Sequence, residues 1–318
     1  MEGSTYDLAI IGSGPAGLTA GIYAGRYLLN TLIISRESGG TIMEAHRVCN
    51  FPTYNEIRGF DLSRKMIEQV GELGIHIKNE TVEKLKENDG FFEIKTNVGT
   101  HRSKKLIIAT GREKRKLGVA GEKELLGKGV SYCATCDAAF FKDKNVAVIG
   151  GSNSALTAAL LVAEYAKKVY IIYRRERFFR ADPAWVRITD KNEKIEYMFN
   201  SEVGSIKGGN SVEKLVLKDG LEVEVGGVFI EIGYEPNREI PKQLDLKTDK
   251  GYIVVDNMQK TNVGGVFAAG DVTNNPLKQV ITACGQGAVA AMSAYEELNK
   301  ENDGLKDNEK GIQGLAIQ

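Results

Sequence analysis

The sequence predicts an α/β fold containing two Rossmann-like three-layer domains, and three observations carry that expectation. An apolar run leading into a glycine-rich turn and a helical pattern occurs twice. The two copies keep one register throughout. Each copy closes on a second apolar run, as a strand–turn–helix–strand unit requires.

The first copy opens with Tyr6-Asp-Leu-Ala-Ile-Ile11 and turns at Gly12-Ser13-Gly14-Pro15-Ala16-Gly17. Its helical pattern reaches about Leu29, and Thr31 to Ser35 forms the second strand. The plan returns 138 residues later: Asn145 to Ile149, the turn Gly150-Gly151-Ser152-Asn153-Ser154-Ala155, a helix to about Ala166, and a strand from Lys168 to Tyr173. Ile11 matches Ile149, and Arg36 matches Arg174. In such a turn the first glycine bends the chain, the second admits a pyrophosphate and the third packs helix on strand. The helix start then offers unpaired N–H groups to the phosphates. Gly12, Gly14 and Gly17 meet all three demands. In the second turn Ser152 stands where the second glycine belongs and Ala155 replaces the third, so an altered or lost site is the plain alternative there.

The residues after each second strand separate the two ligands. Glu37 can accept hydrogen bonds from ribose hydroxyls, against the alternative of a solvated surface glutamate. Its counterpart is Arg175, inside Tyr173-Arg174-Arg175-Glu-Arg-Phe-Phe-Arg180. Guanidinium groups at Arg174, Arg175 and Arg180 can clamp a 2′-phosphate, unless they only decorate an exposed helix start.

Between and beyond these units, Leu62 to Leu73 reads as an amphipathic helix. Ile75 to Lys78, Val82 to Leu85, Phe91 to Thr96 and His101 to Ser103 read as short strands, and Leu106 to Gly111 as a buried strand ending in a tight turn. Short strands recur from Ser201 to Ile232. Tyr252 to Val255 and Val266 to Ala269 are strands, and Lys278 to Leu298 is a long helix. Asn299 to Gln318 reads as a loosely held tail, in which Leu315-Ala-Ile317 offers a docking segment.

Composition narrows the function. The 318 residues suffice for two domains, with 42% hydrophobic and 26% charged residues. Lys+Arg and Asp+Glu number 42 each, so no global field favours nucleic acid or an anionic membrane. No apolar stretch approaches a membrane span or a signal segment, and the chain reads as cytoplasmic. Four cysteines do not make a disulfide framework at this length. Cys133 and Cys136 form a CxxC at a helix start, where the helix dipole stabilises a thiolate. Asp137 beside them can move protons or merely cap the helix. A metal is not expected, since zinc would need two more ligands nearby. Cys49 and Cys284 read as buried small hydrophobes.

These residues resemble the low-molecular-weight thioredoxin reductases from about residue 5 to residue 298. The likeness rests on Cys133-Ala-Thr-Cys136-Asp137, Gly39-Gly40, Asn50-Phe-Pro52, Ala109-Thr110-Gly111 and Val266-Phe-Ala-Ala-Gly270-Asp271. The resemblance implies an FAD domain split into residues 1–115 and 244–318, with a nucleotide domain of residues 116–243 inserted between. It implies FAD contacts at both glycine-turn flanks (Gly12 to Gly17, Arg36, Glu37), at Gly39, Gly40, Thr41, Asn50 and Val82, and at Ala109, Thr110 and Gly111. Gly270, Asp271, Lys278, Gln279 and Val280 complete that set. NADPH would meet Gly151, Ser152, Asn153, Ser154, Arg174, Arg175 and Arg180. Cys136 would face the flavin, Cys133 would exchange with the disulfide of thioredoxin or a thioredoxin- or glutaredoxin-like protein, and Asp137 would be the acid/base. A homodimer is implied as well. Three departures stand out: Thr41-Ile42 where Gln-Leu is usual, Ser152 for glycine, and one residue more in the arginine segment. Two of them fall on the donor site, so a same-fold reductase using NADH, a deazaflavin or ferredoxin is the alternative.

Overall fold

The computed structural model describes residues 5–88 and 90–315. The chain divides into two units: Met1–Met43, Cys49–Arg112 and Pro236–Gln318 make the first, Glu44–Val48 and Glu113–Glu235 the second.

The first unit begins with β1 (Tyr6–Ile11), α1 (Pro15–Arg26) and β2 (Thr31–Ser35). Apolar runs buried on both faces suit parallel strands, and β1 pairs in parallel with β2. Small residues on α1 let it lie close to the sheet: a Cβ on Gly21 would stand 2.7 Å from Ile33 Cδ1. The helix ends at Arg26 rather than near Leu29. Leu28 turns left-handed at φ +58°, and the amides of Leu28 and Leu29 close on the carbonyls of Gly25 and Ala24. That closure redirects the chain into β2.

Next come α2 (Gly59–Glu72), β3 (Ile77–Asn79), β4 (Val82–Asn88), β5 (Phe91–Thr96) and β6 (Thr100–Ile108). β6 is a single strand, where the sequence reads as two pieces broken at Lys104-Lys105. Lys105 is in fact buried, with Glu297 at 3.6 Å and Glu301 in contact, so a paired charge continues the strand.

β7 (Arg112–Lys114), β8 (Val130–Ser131) and α3 (Ala134–Asp137) lead into the second βαβ unit: β9 (Asn145–Ile149), α4 (Asn153–Tyr165) and β10 (Lys168–Ile172). α5 (Pro183–Asp190) and β11 (Ile195–Met198) follow, neither legible in the sequence. β12 (Val203–Gly208), β13 (Val212–Leu217) and β14 (Glu222–Glu224) form an antiparallel sheet, and β15 (Gly227–Ile230) rejoins the parallel one. β16 (Tyr234–Pro236) pairs with β7. The chain ends with α6 (Glu239–Gln243), β17 (Thr248–Asp249), β18 (Tyr252–Ile253), β19 (Val266–Ala268) and α7 (Val280–Leu315). α7 runs on through Leu315, so the segment read as a loose tail is largely helical. Glu301, on Lys105, holds the first turn past Leu298. The expected docking triplet lies at and beyond the end of the described residues.

In the first unit β3, β2, β1 and β6 lie side by side, with β19 parallel to β6 and β5–β4 as an antiparallel extension. In the second the order is β11-β10-β9-β15-β8, all parallel. The order therefore reverses beside β1 and beside β9, and ligands of such sheets sit at the carboxyl ends of the strands flanking that point. Both glycine turns stand there.

Phe229 is fully buried and meets Phe141 edge-on at 5.2 Å. Phe229→Ala is expected to destabilise the second unit by ~3–5 kcal/mol in urea unfolding, and a loss under ~1 kcal/mol would contradict this packing.

Candidate functional site

At Gly12 and Gly17 of the first turn the backbone leaves no room for a side chain. A Cβ on Gly12, at φ +109°, would stand 2.3 Å from the Ala109 carbonyl oxygen, and one on Gly17 would stand 1.9 Å from the Gly12 oxygen. α1 starts at Pro15 with Gly14 as an extended N-cap and no side chain capping it. Its first N–H groups are thus left for another acceptor. Ser13 is buried and ties the turn to its surroundings: its hydroxyl donates to the Glu37 carbonyl (3.2 Å) and accepts from the Gly39 amide (3.2 Å). Gly40 approaches Gly14 so closely that a Cβ there would meet Gly14 Cα at 2.7 Å. Thr41 opens a short 3₁₀ turn to Glu44. Arg36 and Glu37 are exposed neighbours, 3.8 Å apart.

The rest of the expected FAD set lies on several other segments. The Ala109 amide donates to the Ile11 carbonyl (2.8 Å), which puts Ala109, Thr110 and Gly111 beside the turn. The Thr110 hydroxyl is buried without a hydrogen-bond partner, an acceptor or donor waiting for a polar ligand. Gly270, at φ +81°, faces Ala16, and Asp271 is paired with Arg112 at 2.5 Å. Asn50 donates to Gln279 at 3.0 Å, just before α7 begins at Val280. Lys278 lies over the Tyr252 ring at 4.3 Å, and burial lowers it to about 8 against the opposing pull of Asp271. Val82 opens β4, two residues past Glu80, whose amide donates to the Ser35 carbonyl at the end of β2 at 3.1 Å. The uncapped helix start, the glycine cradle and the orphaned Thr110 hydroxyl all fit a dinucleotide.

The second turn is more crowded. α4 also begins from an extended, uncapped N-cap, Ser152. Yet a Cβ on Gly151 would stand 2.5 Å from the Tyr173 ring, which lies across the turn and stacks on Phe178. The Ser152 side chain does not point outward but meets the Ser154 hydroxyl at 3.1 Å. Asn153 binds Asp182 through both its amide nitrogen (2.8 Å) and its oxygen (2.7 Å), and Ser152 bridges to Arg180 through the backbone. Arg174, Arg175 and Arg180 are exposed, and the Arg175 and Arg177 guanidinium groups lie 5.2 and 5.0 Å from the Phe179 ring.

Cys133 and Cys136 are joined in a disulfide with Cα atoms 5.3 Å apart. Cys133 is the N-cap of α3, and its sulfur accepts the Cys136 amide at 3.2 Å. That donor and the helix dipole favour a thiolate on Cys133 once the bond opens. Asp137 does not cap a helix. Its carboxylate accepts from the buried Ser131 hydroxyl at 2.6 Å, and Ser131 accepts the Cys133 amide at 2.9 Å. Ser131 and three further supports carry no motif in the sequence. Lys114 donates to Glu44 and to the Tyr132 carbonyl, the Tyr132 hydroxyl donates to Glu122, and Thr135 donates to the Glu44 carbonyl at 2.6 Å. Burial alone would raise the Glu122 carboxyl, but Tyr132 and the amides of Leu117 and Gly118 hold it below the usual range. Burial and Glu122 together push Tyr132 up. Cys49 is exposed, contrary to the expectation of a buried hydrophobe, whereas Cys284 is partly buried beside Pro15. Cys49 lies in a chain segment with no regular structure around it, which the sequence does not mark.

Ser131→Ala is expected to lower disulfide turnover about tenfold or more, since hydrogen bonds to charged groups contribute ~1.5–3 kcal/mol. Ser131→Thr should restore most of it, and equal loss in both variants would point to packing instead.

Residues 6–287 match the pyridine nucleotide-disulphide oxidoreductase family. The chain is 41% identical over 313 residues to a thioredoxin reductase of Peptoclostridium acidaminophilum, covering 94% of this chain and 99% of that one. It superposes on the thioredoxin reductase of Lactococcus lactis with a TM-score of 0.88 at 37% identity, over 92% of this chain and 98% of that one. For the thioredoxin reductase of T. acidophilum the values are 0.87 and 38%, over 92% and 98%.

Proposed function

The chain belongs to the pyridine nucleotide-disulphide oxidoreductase family, and from that premise we propose that it carries electrons from NADPH through FAD to Cys133–Cys136 and on to a thioredoxin. It is an oxidoreductase acting on a disulfide, a thioredoxin reductase by its relatives. FAD and a pyridine nucleotide go with that family. The choice of NADPH, the division into an FAD domain and a nucleotide domain, the cytoplasmic setting and the homodimer are our reading. Among the described residues no helix is long and apolar enough to cross a membrane.

The observation that carries the proposal is the Cys133–Cys136 ring with Asp137 held beside it by Ser131. FAD, when bound, relays two electrons between the nicotinamide and this ring. The chain's own residues do the rest. The uncapped start of α1 and the Thr110 hydroxyl bind FAD, and Asp271 meets it once released from Arg112. After the ring is reduced, the Cys133 thiolate attacks one sulfur of the partner disulfide, and the other sulfur leaves as a thiolate. The Cys136 thiolate then attacks Cys133 and re-forms the ring, releasing the second partner sulfur. Asp137 supplies and removes the protons of these steps.

Anaerobic bleaching of the bound flavin by NADPH, followed by turnover with a thioredoxin, tests the whole sequence. A second reading, in which NADH, a deazaflavin or ferredoxin is the donor, is favoured by the Tyr173 ring lying across Gly151. Flavin that reduced ferredoxin bleaches and NADPH does not would select it.

Cys133→Ser and Cys136→Ser should both keep FAD and lose thioredoxin reduction, and wild-type turnover in either would remove that cysteine from the pathway. Asp137→Asn should slow turnover ~10²- to 10⁴-fold, whereas a loss under about threefold would make it a bystander. Two charge-assisted contacts from the arginine segment should favour NADPH over NADH by about 10² or more. That preference should collapse in Arg175→Glu, and a ratio left intact would place the 2′-phosphate elsewhere.

A further inference from the structure

The two units repeat each other at their strand ends, and the repeat singles out one residue. In the first unit the Ala109 carbonyl crowds Gly12, and the Ala109 amide donates to Ile11 at 2.8 Å. In the second, a Cβ on Gly150 would stand 2.1 Å from the Glu231 carbonyl oxygen, and the Glu231 amide donates to Ile149 at 2.8 Å. Glu231 therefore stands where Ala109 stands, one residue past β15 and next to the turn that follows β9. That is the crevice where the strand order reverses and a doubly wound sheet takes its ligand. An apolar methyl borders it in the first unit and a carboxyl group in the second.

Glu231 is 8% exposed. Its carboxyl is faced by the Ser154 hydroxyl on the first turn of α4, by Lys114 of β7 and by Glu44. Lys114 donates hydrogen bonds to Glu44 and to the Tyr132 carbonyl, so its charge is already shared with another carboxylate. A buried acid at the start of a phosphate-accepting helix has opposite effects in its two protonation states. Neutral, it can donate a hydrogen bond to an anion. Ionised, it adds a like charge at short range and low dielectric.

We propose that Glu231 determines when the second glycine turn accepts a pyridine dinucleotide, admitting the pyrophosphate as a neutral acid and excluding it as a carboxylate. This rests on the pyridine-nucleotide reading of that turn and adds to it a specificity-determining residue and a pH dependence. Burial pushes Glu231 up to about 7, with Lys114 and Ser154 opposing and Glu44 adding to the rise. The accepting form is thus present below about 7 and is lost as pH rises through that value. When only the protonated fraction binds, the apparent dissociation constant grows about tenfold between roughly pH 6 and roughly pH 8.

The test is calorimetric titration of NADP⁺ into the full-length, FAD-loaded, oxidised protein at those two pH values, for wild type and Glu231→Gln. The quantity read is the ratio of the two dissociation constants, wild type over variant, in which the titration of the ligand's own phosphate cancels. That ratio is expected to rise about tenfold from the lower pH to the higher. Glu231→Ala, which restores the residue found at Ala109, should behave as the glutamine variant does. A ratio that stays constant overturns the role of Glu231 and leaves the nucleotide site standing. Binding by none of the proteins at either pH overturns both. A second readout needs no ligand: the raised value means that the stability wild type has relative to Glu231→Gln falls as pH rises from 4.5 to about 7. Melting temperatures whose difference does not change across that window would also overturn the proposal.

Discussion

Much of the first unit depends on the absence of side chains where α1 meets the sheet. A Cβ on Gly12 would strike the end of β6, and one on Gly17 would strike the turn itself. Gly40 would meet Gly14, Gly270 would meet Ala16 at 2.8 Å, and Gly287 of α7 would come within 2.1 Å of the Ala16 oxygen. Four stretches of chain, at Gly40, Ala109, Gly270 and Gly287, thus converge on the Gly12–Gly17 turn and the start of α1. A single added methyl at any of these points forces backbone to move, which protein interiors accommodate poorly. The same constraint has a chemical consequence. With no side chain near enough to cap α1, its first amides have no internal acceptor. They remain available to a phosphate.

The second unit keeps the geometry but relaxes the constraint around its glycine turn. Ala155 stands where Gly17 stands, and its methyl is accommodated because Gly150 carries none: a Cβ added at Gly150 would lie 3.0 Å from the Ala155 Cβ. Ser152 folds onto Ser154, Tyr173 covers Gly151, and Glu231 replaces Ala109. The first turn offers an anion amides and one orphaned hydroxyl. The second offers amides, two hydroxyls and a carboxyl, with arginines at the rim. On the proposed reading, a dinucleotide at the second turn displaces more of the protein's own groups than one at the first.

Periodicity and local chemistry carried the sequence reading as far as they reach. The glycine spacings, the buried strand runs and the CxxC all act within a few residues, so the βαβ units and the cysteine ring were legible. The continuity of β6 was not, because Lys105 reads as a break until Glu297 and Glu301 are seen to pair with it from α7. The same pairing ties down the first turn of α7 past Leu298. Ser131, Glu122 and Lys114 carry no motif, and their partners are set by the fold. Glu231 did leave a trace. Ile108-Ala109-Thr-Gly111 and Ile230-Glu231-Ile-Gly233 are counterparts of one duplicated strand end, and carrying the internal alignment that far would have found it.

The cysteine loop shows why such fold-dependent partners matter to chemistry. Thiol–disulfide exchange needs the attacking sulfur in line with the bond it breaks, and it needs a stabilised thiolate. α3 is only four residues long, too short to be stable alone. Its position must come from outside. Tyr132 is gripped at both ends, by Lys114 on its carbonyl and Glu122 on its hydroxyl, directly before Cys133. Ser131 then links the Cys133 amide to the Asp137 carboxylate across the ring. These bonds run to backbone or to neighbours of the cysteines, not to the sulfurs. Opening the ring therefore leaves them intact. In the proposed cycle the loop gains and loses two electrons while the atoms that position the Cys133 sulfur and the Asp137 carboxylate stay where they are.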